Sequence, residues 1–262
     1  LVGSYRAAPG GWLRVWRPRP EARLRLLCLP PAGAAAALYQ PWTGPLPPYV
    51  ELAAVEPPGR GTRYGEPYPT SFRQIVDPVL DALSLLPPKP VAVYGHSMGA
   101  IAALETARAL RDGGTPPVAL LVSARNAPAV RGTDEETWPD LTDAQLSTLL
   151  RNLGGLDAET LDDPRLMATV LPAVRADIAV LSAYQYTPAP PLACPVRAYA
   201  GTGDTGTTPA GLALWRRENP ADFRLHRVPG GHFFFRGREA HHIARLMSDL
   251  TPTAAGRGAA WR

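Results

Sequence analysis

Short apolar runs alternate with longer stretches whose apolar residues recur at helical spacing, and the alternation extends through most of the chain. The runs Trp12 to Trp16, Leu24 to Leu29, Val50 to Val55, Val91 to Tyr94, Val118 to Val122, Val196 to Ala200 and Arg224 to Val228 read as strands. Most are apolar at successive positions, as strands covered on both faces of a parallel sheet require. Helical spacing over Phe72 to Leu86, Met98 to Arg111 and Arg238 to Leu250 supplies covering layers, with Ser71 a candidate N-cap for the first. Pro78 lies inside that helix and is expected to kink or split it. With no fixed-period repeat, the pattern predicts an α/β fold with a mostly parallel central sheet flanked by helices.

One stretch departs from the alternation. From Asp140 to Tyr186 the sequence is helix-like, notably over Asp143 to Leu153 and Leu166 to Tyr186, with no strand signal and with breaks at Gly154, Gly155 and Pro164. It is too long for an ordinary connection. It reads as a helical layer over the end of the sheet, a lid, with a pair of ordinary crossover helices as the alternative. Leu149, Leu153 and Met167 are candidates to face a chamber beneath it, or to pack within the layer itself.

Composition narrows the class. With 45% hydrophobic and 19% charged residues among 262, the chain can bury a large core and lacks the signature of disorder. The formal charge is +4, and Lys89 is the only lysine. No basic block points to nucleic acid, so the arginines read either as a solvated surface or as a modest field for an acidic protein partner. Cys28 and Cys194 sit in apolar surroundings and read as buried thiols of a reducing compartment, neither placed as a nucleophile. Arg23 to Ala37 superficially resembles an export signal, but Pro30 and Pro31 interrupt it, and no uninterrupted apolar stretch approaches the ~18 residues of a membrane span. The expected location is cytoplasmic. Leu1 to Ser4 are left out of the fold reasoning, and the small, polar tail Thr251 to Arg262 is expected to fray.

The sharpest chemical signal is Gly95-His96-Ser97-Met98-Gly99, a G-x-S-x-G between a strand run and a helix run. A tight strand-to-helix turn needs glycines where backbones meet and leaves the central serine exposed above the sheet, at a helix N-terminus suited to an oxyanion. Ser97 is the candidate nucleophile. A serine needs a base. Among five histidines, His226 lies in a strand run, His241 and His242 in a helix, and His96 beside the serine, whereas His232 follows Pro229-Gly230-Gly231 at the end of a strand, where a base can reach the turn. Asp204, just after Val196 to Ala200, is the candidate acid, with an Asx-turn as its alternative role. The order Ser97, Asp204, His232 is that of the α/β-hydrolases. A second oxyanion donor must come from the loop after an early strand. In Leu29-Pro30-Pro31-Ala32-Gly33 the prolines carry no N–H, so the oxyanion hole is placed at the N–H groups of Ala32 and Met98.

With these residues assembled, the chain resembles the type II thioesterases that accompany modular polyketide synthases and nonribosomal peptide synthetases. The resemblance covers nearly the whole chain. It rests on Leu29-Pro-Pro-Ala-Gly33 with Tyr39-Gln-Pro-Trp42, on Pro58-Gly-Arg-Gly61 with Arg63 and Glu66-Pro67, and on Gly95-His-Ser-Met-Gly-Ala100. It continues through Ser123-Ala-Arg-Asn-Ala-Pro128, Leu171-Pro-Ala-Val-Arg-Ala-Asp177 and Pro229-Gly-Gly-His-Phe-Phe-Phe235. It implies one α/β-hydrolase domain over residues 1–262 with a mobile lid at about 140–186, acting as a monomer without metal or cofactor. The implied reaction is hydrolysis of acyl groups from the phosphopantetheine arm of an acyl or peptidyl carrier protein, clearing stalled or aberrant units. No nucleic acid or membrane partner is implied. Where the family commonly has His-Ala-Gly, this chain has Pro31-Ala32-Gly33, and where proline often follows the acid, Thr205 and Gly206 stand here. The second departure predicts a looser acid loop. The same triad would also serve a product-releasing thioesterase or acyltransferase, or a small-molecule carboxylesterase, and the fold alone would serve a non-catalytic binding protein.

Overall fold

The computed structural model describes residues 6–7, 10–130 and 135–250. Leu1 to Ser4 and the tail Thr251 to Arg262 lie outside the described residues. Eight strands form one sheet: β1 (Arg6–Ala7), β2 (Leu13–Val15), β3 (Leu24–Leu29), β4 (Val50–Val55), β5 (Val91–His96), β6 (Ala119–Ser123), β7 (Val196–Gly201) and β8 (Phe223–Val228). Their spatial order is β1-β2-β4-β3-β5-β6-β7-β8, parallel from β4 to β8 with β1 and β2 antiparallel at one edge. All seven strand runs read from the sequence are strands. The two-residue β1 has no sequence signal of its own.

The helices are α1 (Arg73–Ser84), α2 (Met98–Asp112), α3 (Asp143–Leu153), α4 (Ala158–Asp162), α5 (Pro164–Ala183), α6 (Pro209–Ala213) and α7 (Glu239–Leu250), joined by 3-10 segments at Ala36–Thr43, Gly61–Arg63, Glu135–Asp140 and Leu214–Glu218. The apolar runs of the strands are explained by burial on both faces. Along β3, Leu27 and Leu29 pack with α1 and α2, while Leu24, Leu26 and Cys28 pack on the other side with the Ala36–Thr43 segment and α7. Cys28 and Cys194 are buried free thiols, both pushed above the ordinary range by burial, that of Cys194 to about 11. The segment resembling an export signal is β3 and the loop after it.

Three local readings are corrected. Pro78 does not split α1, because burying Ile75, Val76, Val79, Ala82 and Leu83 on one face, at ~1.5–3 kcal/mol for each large side chain, outweighs one lost hydrogen bond and a ring clash. Ser71 sits one residue ahead of the helix boundary: Phe72 occupies the N-cap, while Ser71 Oγ accepts from the Gln74 N–H at 3.3 Å. The arginines are not confined to the surface, since Arg25, Arg60, Arg108 and Arg197 are buried and paired with Glu51, Asp177, Glu218 and Asp222 respectively.

The stretch without strands is a helical layer, beginning earlier than expected, at Glu135, and ending at Ala183. Leu146, Met167, Leu171, Val174 and Ile178 form its own small core. Thr142 and Gln145 make a reciprocal capping box at the start of α3, Gly154 ends it at φ +72°, and Pro164 occupies the first turn of α5, where its missing N–H costs nothing. By length and composition α5 is long and apolar enough to cross a membrane; here Asp177 on it is buried against Arg60.

Behind the sheet, His242 on α7 lies among Trp42, Tyr94, Phe234 and Phe235, and burial pushes its pKa down from 6.5 to about 3. A histidine held neutral in the fold and free to protonate when unfolded contributes stability that is complete above about pH 6.5 and is lost as pH falls toward 3. His242→Phe is therefore expected to flatten the fall in urea-unfolding free energy between pH 6.5 and 5, by on the order of 1 kcal/mol per pH unit. An unchanged slope would show that His242 is not the titrating group.

Candidate active site

The candidate residues lie on the loops after four strands, β3, β5, β7 and β8, with β6 between β5 and β7. Parallel register pairs Leu29 with Gly95 and His96 with Ser123, so the chain leaving β3, β5 and β6 emerges side by side, and Gly201 pairs with Val228 at the ends of β7 and β8. At the end of β5 the backbone turns sharply into α2 with Ser97 at φ 55°, ψ −118°, a left-handed conformation a serine adopts only under constraint. A Cβ on Gly95 would meet the Gly99 carbonyl and lie 2.7 Å from the Ala100 nitrogen; one on Gly99 would meet the Leu29 carbonyl and lie 2.7 Å from that of Pro30. Both glycines are thus sterically required. The second presses the loop after β3 against the N-terminus of α2, where the first-turn N–H of Met98 has no intrahelical partner.

The acid and base loops converge by the same device. A Cβ on Gly201 would overlap the carbonyls of Gly230 and Gly231, and the Gly203 N–H donates to the Gly230 carbonyl at 2.8 Å. His232 Nδ1 lies 3.0 Å from Asp204 Oδ2, both side chains nearly buried. A carboxylate only accepts, so Nδ1 carries the proton and Nε2 is left with its lone pair. The other oxygen, Asp204 Oδ1, accepts from the Gly206 N–H at 3.0 Å. Asp204 therefore makes the Asx-turn and the histidine contact together, and the Thr205-Gly206 departure does not leave the acid loop unanchored.

The remaining histidines are elsewhere. His226 contacts Asp249, and burial in the cluster behind the sheet claims His242. His96 is fully buried, with Nδ1 3.0 Å from Ser123 Oγ and its ring packed on His232, Phe233 and Phe235. Burial, with a smaller contribution from the neighbouring His232, His242 and Arg236, holds its pKa well below the ordinary value. It backs the site without facing its opening.

Ser97, half-buried, and His232 open into one cavity of about 530 Å³, with Ala32 and Gly33 on the same wall. Its roof is apolar, from Leu149, Leu150 and Leu153 on α3 and Val170, Val174 and Ile178 on α5. Arg125 and Arg236 also line it, the second with its guanidinium 5.5 Å from the Phe233 ring. Leu149 and Leu153 thus face the chamber, while Met167 packs inside the core of the helical layer. Among the described residues no group of three His, Cys, Asp or Glu side chains is placed to hold a metal. The sequence reading gave no role to Arg60 and Asp177, which meet beside Gly33; the only signal was their presence in motifs carrying the resemblance.

The mostly parallel sheet, the serine on its glycine-flanked turn and the acid–histidine contact define an α/β-hydrolase. Comparison with known proteins carries this to the family: residues 24–251 match the thioesterase domain model, and the chain belongs to the thioesterase family. It is 37% identical over 230 residues to the gramicidin S biosynthesis protein GrsT of Aneurinibacillus migulanus, covering 87% of this chain and 90% of that protein. It is 36% identical to the thioesterase PikA5 of Streptomyces venezuelae over 242 residues, 92% of this chain and 85% of PikA5. Among solved structures, the type II thioesterase BorB from the borrelidin biosynthetic cluster superposes with a TM-score of 0.82 at 34% identity, covering 91% of this chain and 97% of BorB. The chain is a thioester hydrolase of the type II kind.

Gly99→Ala tests the elbow directly, because backbone carbonyls cannot move aside as a flexible side chain would. It is expected to destabilise the protein by ~2 kcal/mol or more in urea unfolding. A change within ~0.5 kcal/mol, typical of a neutral surface site, would show that the loop after β3 parts from α2 freely.

Proposed function

We propose that Ser97, His232 and Asp204 form the catalytic triad of an editing thioesterase that clears acyl groups from the phosphopantetheine arm of a carrier protein. The observation that carries the reading is the shared cavity: Ser97 and the Asp204-paired His232 open onto one apolar chamber beneath the lid. His232 Nε2 takes the proton from Ser97 Oγ as the oxygen attacks the thioester carbonyl. The tetrahedral oxyanion is held by the N–H groups of Ala32 and Met98, at the positive end of α2. Collapse expels the pantetheine thiol, which receives the proton from His232. Water, deprotonated by the same imidazole, then releases the acid and restores Ser97. Asp204 fixes the tautomer of His232 and stabilises the imidazolium. No metal or cofactor enters these steps.

The apolar roof suits an acyl chain, and α3 to α5 act as a lid that the acyl-pantetheine passes on its way to Ser97. The enzyme acts as a monomer in the cytoplasm, a setting that fits two buried, unpaired cysteines. The likeness to BorB, a type II thioesterase from a biosynthetic cluster, is consistent with an editing role.

Ser97→Ala is expected to lower kcat on the order of a million-fold, and Asp204→Asn by roughly ten-thousand-fold, both in folded protein, by analogy with serine proteases. Steady-state hydrolysis of acyl carrier protein thioesters measures both. Activity within tenfold of wild type for the alanine variant would remove Ser97 from the mechanism.

Arg125 and Arg236 line the cavity and would attract an acidic carrier protein. Raising salt from 50 to 500 mM is therefore expected to depress kcat/KM on carrier-bound substrates while sparing small acyl thioesters. Equal salt response of the two substrate types would assign the arginines a purely structural part.

A further inference from the structure

We propose that Asp177, on lid helix α5, is a positioning residue for the oxyanion site, holding the loop that carries the Ala32 N–H in its working conformation. This inference rests on the assignment of Ala32 as an oxyanion donor. After β3 the chain makes a four-residue turn, closed by the Ala34 N–H donating to the Pro31 carbonyl at 3.1 Å, with Gly33 at φ +75°. Such a turn bonds its last N–H and leaves the central one without a partner inside the turn. That central N–H, on Gly33, donates to Asp177 Oδ2 at 2.7 Å across 144 residues of sequence.

The carboxylate is itself fixed. Arg60 brackets it, with Nη1 on Oδ2 and Nη2 on Oδ1 at 2.9 Å, and the side chains of both residues are at least nine-tenths buried. Arg60 is in turn held by its Nε donating to the Pro58 carbonyl at 3.4 Å. One turn before Asp177 on the same helix face, Val174 packs on Gly33 so closely that a Cβ there would overlap Val174 Cγ2. The helix therefore grips the turn at two points, by a charge-assisted hydrogen bond and by contact.

Ala32 is pinned on both sides. Before it stand two prolines with fixed φ, and after it the Gly33 N–H is tied to Asp177. Without the carboxylate the Ala32–Gly33 peptide would be free to rotate, since glycine adopts either sign of φ, and the loop would lose its fixed aim. An oxyanion donor contributes through preorganisation, so loosening it raises the barrier to the tetrahedral state and leaves ground-state binding in place. The network also places the middle of α5 in the fixed part of the lid, because α5 cannot move at Asp177 without breaking a buried ion pair.

The test uses two variants of the full chain and a pair of inhibitors matched to the acyl chain. An acyl trifluoromethyl ketone adds Ser97 Oγ and places an oxyanion in the hole, whereas the methyl ketone of the same chain reports ground-state binding. Asp177→Asn removes the charge opposite Arg60. Asp177→Glu keeps the charge while displacing the carboxylate from Gly33, so it reads the positioning role should the asparagine variant fail to fold. Each is expected to lower kcat and trifluoromethyl ketone affinity together, ten- to a hundred-fold, with KM and methyl ketone affinity within about twofold. A folded variant that weakens both inhibitors equally, or neither, overturns the proposal. Slow hydrogen exchange of the Gly33 amide in the wild-type protein is the expected companion result, and exchange at the rate of an open amide overturns it independently of any variant. Failure of the wild-type enzyme to form the Ser97 adduct would instead overturn the triad reading beneath it.

Discussion

Close backbone approach at the ends of the parallel strands is the constraint on which the rest of this structure depends. Gly95 and Gly99 let the elbow fold back on itself and let the loop after β3 lie on the N-terminus of α2; Gly201 does the same for the loops after β7 and β8. Each contact is between main-chain atoms, which have no rotamers with which to adjust. The distances between the four loops are therefore set first by the sheet register, with Asp177 and Val174 fixing the turn after β3. That is a sound way to hold a site, because β3, β4, β6 and β7 are buried along their whole length and deeply buried strands open least readily.

The chemistry that was legible in the sequence is the part that local geometry dictates. Glycines two residues either side of Ser97, prolines before Ala32 and a Gly-Gly before His232 all mark backbone conformations, and backbone conformation is written in neighbouring residues. The strands were legible for a related reason: burial on both faces leaves β3 and β5 apolar at most positions, with Arg25 and His96 as the exceptions. What escaped depends on partners far apart in sequence. The Arg60–Asp177 pair spans 117 residues, and a charged residue on an amphipathic helix looks the same whether it faces water or a buried guanidinium. The buried pairs of Arg25, Arg108 and Arg197 were hidden among surface arginines for the same reason. The fate of Pro78 was a contest of magnitudes, between one backbone hydrogen bond and a whole apolar face, and helix-breaking rules weigh only the first term.

The lid divides along the same line between local and distant determinants. α3 carries its own start and stop signals, in the capping box at Thr142 and the left-handed Gly154; it faces the chamber with apolar side chains, and its polar ties, Asp143 to Arg175 and Arg151 to Asp162, are partly exposed and lie within the helical layer. α5 is tied to the loop after β3 by a buried ion pair and a backbone hydrogen bond. Apolar contact is non-directional and tolerates sliding, whereas a bidentate guanidinium–carboxylate pair is lost over a displacement of about an ångström or two. The chamber is thus roofed by one helix whose polar ties are partly exposed and one whose tie is buried. On the α5 side, the turn whose Ala32 and Gly33 line the chamber is held by the buried Asp177.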